Sequence, residues 1–211
     1  MTKTILLAFP LLLMSLASST ISGKSYRFTA AVDDDFENSA NWSPDFPGTE
    51  IGEEDQVILE ESAIFWGESL LIRGGIRVEK KASLKAVQTV IMVTEGGWLD
   101  NRGKIEAKSL VSGGVLMNQL WSVLSLDVCR FALTSEAFLL PQSSLLVSTD
   151  CYQEGRLDIQ GTVRVGRSLY QVGTSSISES ALVEVAGDML MQNESELRYH
   201  PQAILLFSER N

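Results

Sequence analysis

The amino-acid sequence predicts an all-β fold, a single-stranded parallel β-helix (solenoid) of about seven coils behind an N-terminal cap. Three observations carry this reading. Past residue 56, no stretch holds an apolar period of 3.6 for the dozen or so residues a helix needs. Short apolar bursts alternate instead, as in Leu157/Ile159 and Val163/Val165, and Gly, Ser or Asn bounds them. Finally, the bursts recur. Aligned on Leu84, Ile105, Val123, Leu145, Val163, Leu182 and Leu197, they step by 21, 18, 22, 18, 19 and 15 residues. A period of roughly 20 residues suits a coil of three short strands and three corners. One such coil has too few inward residues to form a core, whereas stacked coils share one. The rival is a β-sandwich, which calls for longer strands and fewer internal corners.

The elements follow in order. Residues 1–19 read as a signal peptide: Lys3, an apolar run from Ile5 to Met14, then small residues at Ser15, Ala17 and Ser19. The run is shorter than the roughly 20 residues a membrane-crossing helix takes, and no later segment is long and apolar enough. Residues 20–56 read as an N-terminal cap and first strand. An open solenoid end exposes apolar side chains and unpaired strand edges, and Trp42 with Phe36 suits their covering. Pro44 and Pro47 stop further pairing. Residues 57–200 form the solenoid. Residues 201–211, with the burst Ile204–Phe207, form a last strand or C-terminal cap, and an uncovered last coil suits an end-to-end homo-oligomer or a C-terminal region beyond this chain.

A net charge of -10 argues against nucleic acid and against an anionic membrane surface as partners. Cys129 and Cys151 each lie six residues after an alignment position, Val123 and Leu145. Neighbouring coils then stack them within disulfide range, and a secretory compartment permits the bond. No CxxC is present and His200 is the one histidine, so neither a redox motif nor a zinc site is expected. Asp33, Asp34, Asp35 and Glu37 supply oxygen ligands for a structural calcium ion, as do Glu53, Glu54 and Asp55, without the twelve-residue loop signature; the competing reading is a solvated capping turn. Trp66, Trp98 and Trp121, with Asp127 and Asp150, are candidates for a ligand-binding face, against corner packing for the indoles. Asp127, Asp150 and Asp158 are the carboxylates that a polysaccharide lyase or glycoside hydrolase would draw on. Two sequons, Asn41-Trp42-Ser43 and Asn193-Glu194-Ser195, matter in a eukaryotic secretory pathway.

The run from Asp34 to Pro44, then Pro47-Gly48 and Glu54-Asp55-Gln56-Val57-Ile58-Leu59, resembles the opening segment of secreted bacterial β-helical repeat proteins of adhesin type. The extracellular part of the amnionless-type receptor family opens in a similar way. The resemblance covers Tyr26 to Leu59; Asp45-Phe46 stands where a glycine-containing turn is common. It implies a secreted or cell-surface module that binds a protein or glycan without catalysis. A polysaccharide-binding or polysaccharide-cleaving β-helix is the alternative.

Overall fold

The computed structural model describes residues 23–192 and 195–208. Residues 1–22, which include the stretch expected to be a leader, the first two residues of the second sequon and residues 209–211 lie outside them.

The chain winds into a parallel β-solenoid. Ser25–Phe28 pairs parallel with Gln56–Leu59, and from there one strand per coil stacks into a ten-stranded sheet. Its first positions are Gln56, Gly75, Trp98, Val115, Glu136, Arg156, Thr174 and Glu196. These are seven steps of 19, 23, 17, 21, 20, 18 and 22 residues. The remaining strands form a thirteen-stranded sheet that bends into two limbs. Three strands in sequence space, such as Glu136–Leu139, Ser144–Val147 and Cys151–Gln153, make one coil.

Alternation decides what lies inside. One inward column of the thirteen-stranded sheet runs Leu84, Ile105, Leu124, Leu145, Val163, Val183 and Leu205. All but Leu205 are buried, each contributing roughly 1.5–3 kcal/mol. Four of the seven alignment positions fall in this column. Val123 and Leu182 lie one residue early, on the outer side, because their strands carry an outward apolar residue beside the inward one. Leu197 belongs to the ten-stranded sheet and Leu205 takes the expected place.

Two polar ladders interrupt the apolar interior. Asn101 and Asn118 are in register and buried, and the Asn101 amide donates to Asn118 Oδ1 at 2.8 Å and to the Val123 carbonyl at 3.0 Å. Asn118 donates onward to the Ser144 carbonyl at 2.9 Å. Gln153 and Gln171 repeat the device on the other side, with Gln171 donating to the Glu196 carbonyl at 2.9 Å. Such contacts satisfy the buried amide N–H groups, although among the described residues Gln153 Oε1 accepts no hydrogen bond, and fix the register of successive corners.

Aromatic rings close the N-terminal end. Phe28, Phe36 and Trp42 are buried, with Phe36 and Trp42 edge to face at 4.8 Å between centroids. Trp42 donates its indole N–H to the Phe36 carbonyl at 2.6 Å. Asn41 is fully buried beneath the turn: its Oδ1 accepts from the Val32 and Asp33 amides, and its Nδ2 donates to Asp33 Oδ1 and the Asp35 carbonyl. The first sequon's asparagine thus has no outward amide to carry a glycan. At the opposite end, Tyr199, Phe207 and Met191 follow the inward positions Ile177, Val185 and Gln171 but are exposed.

Candidate functional site: the outer face of the ten-stranded sheet

Strand residues that alternate with the core point outward, and stacking sorts them into columns spaced about 4.8 Å apart. On the ten-stranded sheet one outward column runs Gly75, Trp98, Val115, Glu136, Arg156, Thr174 and Glu196. The other runs Arg77, Asp100, Met117, Phe138, Asp158, Ser176 and Arg198. Trp98, Val115, Met117 and Phe138 therefore form one half-buried apolar band over three coils.

Charged pairs flank the band on both sides. Upstream, Arg77 lies 5.8 Å from the Trp98 ring centroid and donates to Asp100 at 2.9 Å. Asp100 also accepts from Arg102 at 3.0 Å and from Gln119 at 2.8 Å. These donors bury its side chain to 1% exposure while both guanidinium groups stay partly in solvent. Downstream, Arg156 lies 5.8 Å from the Phe138 centroid and donates to Asp158 at 2.8 Å. Glycine makes room for the indole: a Cβ on Gly75 would stand 2.0 Å from Cε2 and Cζ2 of Trp98. The Trp98 ring thus covers bare backbone.

Past Phe138 the face opens into a shallow groove of about 1130 Å³, lined by Glu136, Arg156, Asp158, Ser176, Glu196 and Arg198. Arg198 donates to both carboxylate oxygens of Glu196, which holds its guanidinium more firmly protonated. Leu133, 76% exposed, stands on the rim.

The residues singled out in the sequence are dispersed. Trp98 lies in the band and Asp158 in the groove. Trp66, 63% exposed, follows the strand Ala63–Ile64, and Trp121, 65% exposed, sits at a corner with φ 67°. Asp127 points outward from the thirteen-stranded sheet and accepts from the Ser148 hydroxyl at 2.8 Å. Asp150 is buried in the next coil, held by Arg167 through Nε at 2.7 Å and through Nη2, and by the Ser168 amide at 3.2 Å. Asp127 and Asp150 thus share one corner on adjacent coils, where Asp127 is exposed and Asp150 is buried, and they have different partners. His200 is exposed in a corner and accepts from the Gln202 amide.

In the acidic turn, Asp33 accepts from Asn38 and Asn41, and Asp35 Oδ1 accepts from the Glu37 amide. The Asn41 and Asn38 hydrogen bonds hold the Asp33 carboxyl below its ordinary range. Among the described residues no three His, Cys, Asp or Glu side chains converge closely enough for a metal ion. Cys129 and Cys151 are in direct register, fully buried and unbonded, with sulfurs 2.7 Å apart.

Met117, Phe138, Arg77 and Arg156 had drawn no attention in the sequence. Their signal was positional: Arg156 and Asp158 alternate with the inward Leu157 and Ile159. Comparison with known protein families, curated proteins and solved structures finds no match. No helix among the described residues is long and apolar enough to cross a membrane. The architecture is a β-solenoid consistent with a structural or binding module of adhesin-like build.

Proposed function

We infer that this chain is a non-catalytic, secreted or cell-surface interaction module that binds a protein or glycan through the outer face of its ten-stranded sheet. The supporting observation is the band of Trp98, Val115, Met117 and Phe138 between two sets of arginine–carboxylate pairs. Aromatic anchors ringed by polar groups are the usual composition of a binding hot spot. The carboxylates Asp100, Asp158 and Glu196 are each already paired with a guanidinium on this face, which suits recognition better than acid–base chemistry. A second reading rests on the groove itself, whose length and mixed charge suit a polysaccharide chain, as substrate or as ligand.

The test measures adhesion of the full chain to immobilised glycans and matrix proteins, with the Trp98→Ala/Phe138→Ser variant beside it. Loss of two central anchors should weaken adhesion by about tenfold or more. Unchanged adhesion at an unchanged melting temperature overturns the assignment of this face. Release of new reducing or unsaturated sugar ends from a panel of polysaccharides would replace it with the catalytic reading.

A further inference from the structure

A second surface stands out by its charge. Every lysine after Lys24 falls between Lys80 and Lys108, in a chain of net charge -10. The coil stacking gathers them. Lys80 and Lys81 occupy the corner before the strand Ser83–Val93, and all five lysines are exposed. Arg102 takes the next corner, and the Lys104 amide donates to the Ala82 carbonyl at 3.2 Å, directly above that corner. Lys85 and Lys104 point outward on adjacent strands, diagonal to each other, and Lys108 stands at the bend between the two limbs of the sheet, where the register with the preceding strand shifts.

Elsewhere the outward columns alternate in sign. Arg77 is followed by Asp100, Glu136 by Arg156, and Arg164 by Glu184. Here too Lys85 stacks on Glu106, and Lys104 stands between Ser83 and Val123, so the lysines gather across neighbouring columns; the ion pairs within the cluster are Glu79 with Arg102 at 3.9 Å and Glu106 with Lys104 at 3.6 Å. Among the described residues no ion pair engages Lys80, Lys81, Lys85 or Lys108. Acids border the cluster, with Glu61 one corner before it and Asp127 opposite Lys108 on the next strand.

The corner of the following coil carries exposed Leu120 and Trp121. Its Gln119 amide donates to the Asn101 carbonyl at 2.8 Å, which seats it on the Arg102 corner. Trp121 has φ 67°, and Gln142 holds the same left-handed place one coil later with φ 64°. This corner favours Gly or Asn there, so a tryptophan is held at a backbone cost with its ring in solvent.

We propose that this corner and strand row bind a linear anionic polysaccharide, with Lys80, Lys81, Lys85, Lys104 and Lys108 meeting its sulfate or carboxylate groups and Trp121 stacking on a sugar ring. A narrow cationic row flanked by acids suits a polymer thread. A flat anionic bilayer would also meet Glu61, Asp127 and the rest of an acidic surface. The exposed indole offers a face to the C–H side of a sugar. This surface lies on a different wall from the Trp98 band, and the two assignments stand or fall separately.

The experiment titrates the full chain with heparin, polygalacturonate and neutral dextran at low salt, and repeats the heparin titration as salt rises. Heparin or polygalacturonate should bind and dextran should not. Affinity should fall steeply between about 50 and 200 mM salt, as counterion release requires. Lys80→Ala/Lys81→Ala/Lys85→Ala should lose roughly tenfold or more at unchanged melting temperature. Trp121→Gly should bind more weakly yet melt no lower, since it relieves the corner. Trp98→Ala/Phe138→Ser should bind heparin as the parent does. Should the triple variant fail to fold, acetylation of the lysines of the folded parent supplies the same readout. No binding at low salt overturns the proposal, as does binding indifferent to the lysines. Preferential capture by phosphatidylserine vesicles or duplex DNA over both polysaccharides overturns it as well.

Discussion

Cys129 and Cys151 offer the sharpest single test. They face each other across neighbouring coils, and one rung of a parallel sheet sets their Cα atoms within disulfide range. We predict that the chain isolated from an oxidising compartment carries this bond. It would close a loop of 22 residues. Loop-closure entropy over that length is worth about 3 kcal/mol. For a chain of this size that is roughly 6 to 12 °C in melting temperature. Burial pushes the Cys129 thiol up, so folded protein should resist alkylation in either redox state. The assay is therefore intact mass after alkylation in denaturant, with and without prior reduction, alongside melting of the parent and Cys129→Ala/Cys151→Ala. The bonded parent should take up label only after reduction and melt above the variant. Two labelled cysteines without reductant, with melting equal to the variant, refute the reasoning.

The polar ladder gives a non-additive prediction. Asn118→Leu leaves part of the Asn101 amide unpaired and takes the side-chain donor from the Ser144 carbonyl, at about 2 kcal/mol. Asn101→Leu/Asn118→Leu extends the apolar column between Val78 and Leu139 and should cost less than the single change; additive losses in denaturant titrations would count against the ladder. The acidic turn gives a pH prediction. The folded pKa of Asp33 lies below its unfolded value, so its stabilisation is present above the unfolded value, near 3.9. It is lost as pH falls through the folded one. Melting curves of the parent and Asp33→Asn should differ at pH 6 and converge on acidification below about 4. Parallel curves would show that the carboxylate contributes nothing in its charged form.

The coil was legible because the inside of a solenoid admits few choices. Strict alternation placed Leu84, Ile105, Leu145 and Val163 correctly. It failed by one residue at Val123 and Leu182, where the outward neighbour is apolar too and the period-2 contrast vanishes. The cysteine pairing came out in register despite that shift, because the extra residue in the corner Ser148–Asp150 offsets the early choice of Val123. The outer faces were harder to read. Residue type drew attention to Trp66, Trp98 and Trp121, but their grouping depends on corner lengths that vary from coil to coil. Phe138 and Met117 joined Trp98 through register alone, and the 21 residues between Leu84 and Ile105 set Lys85 against Glu106, diagonal to Lys104.

The two proposed surfaces differ in how they depart from the rules that stabilise the fold. Stacked columns put like side chains about 4.8 Å apart, so alternating charges are favourable and runs of one sign are not. Most outward columns obey this, and each exposed pair is worth about 1 kcal/mol or less. The Trp98 band breaks it in the apolar sense, leaving a strip that water covers poorly and a ligand covers well. The lysine cluster keeps the column rule, with Lys85 on Glu106, but gathers cations across neighbouring columns and corners, where among the described residues Lys80, Lys81, Lys85 and Lys108 have no ion pair. Trp121 adds a backbone cost at the same place. Departures without a compensating contact inside the molecule point to compensation from outside it. The apolar band should therefore hold its partner at high salt and the lysine row should release its own, so a salt ramp over one doubly loaded sample separates the two sites.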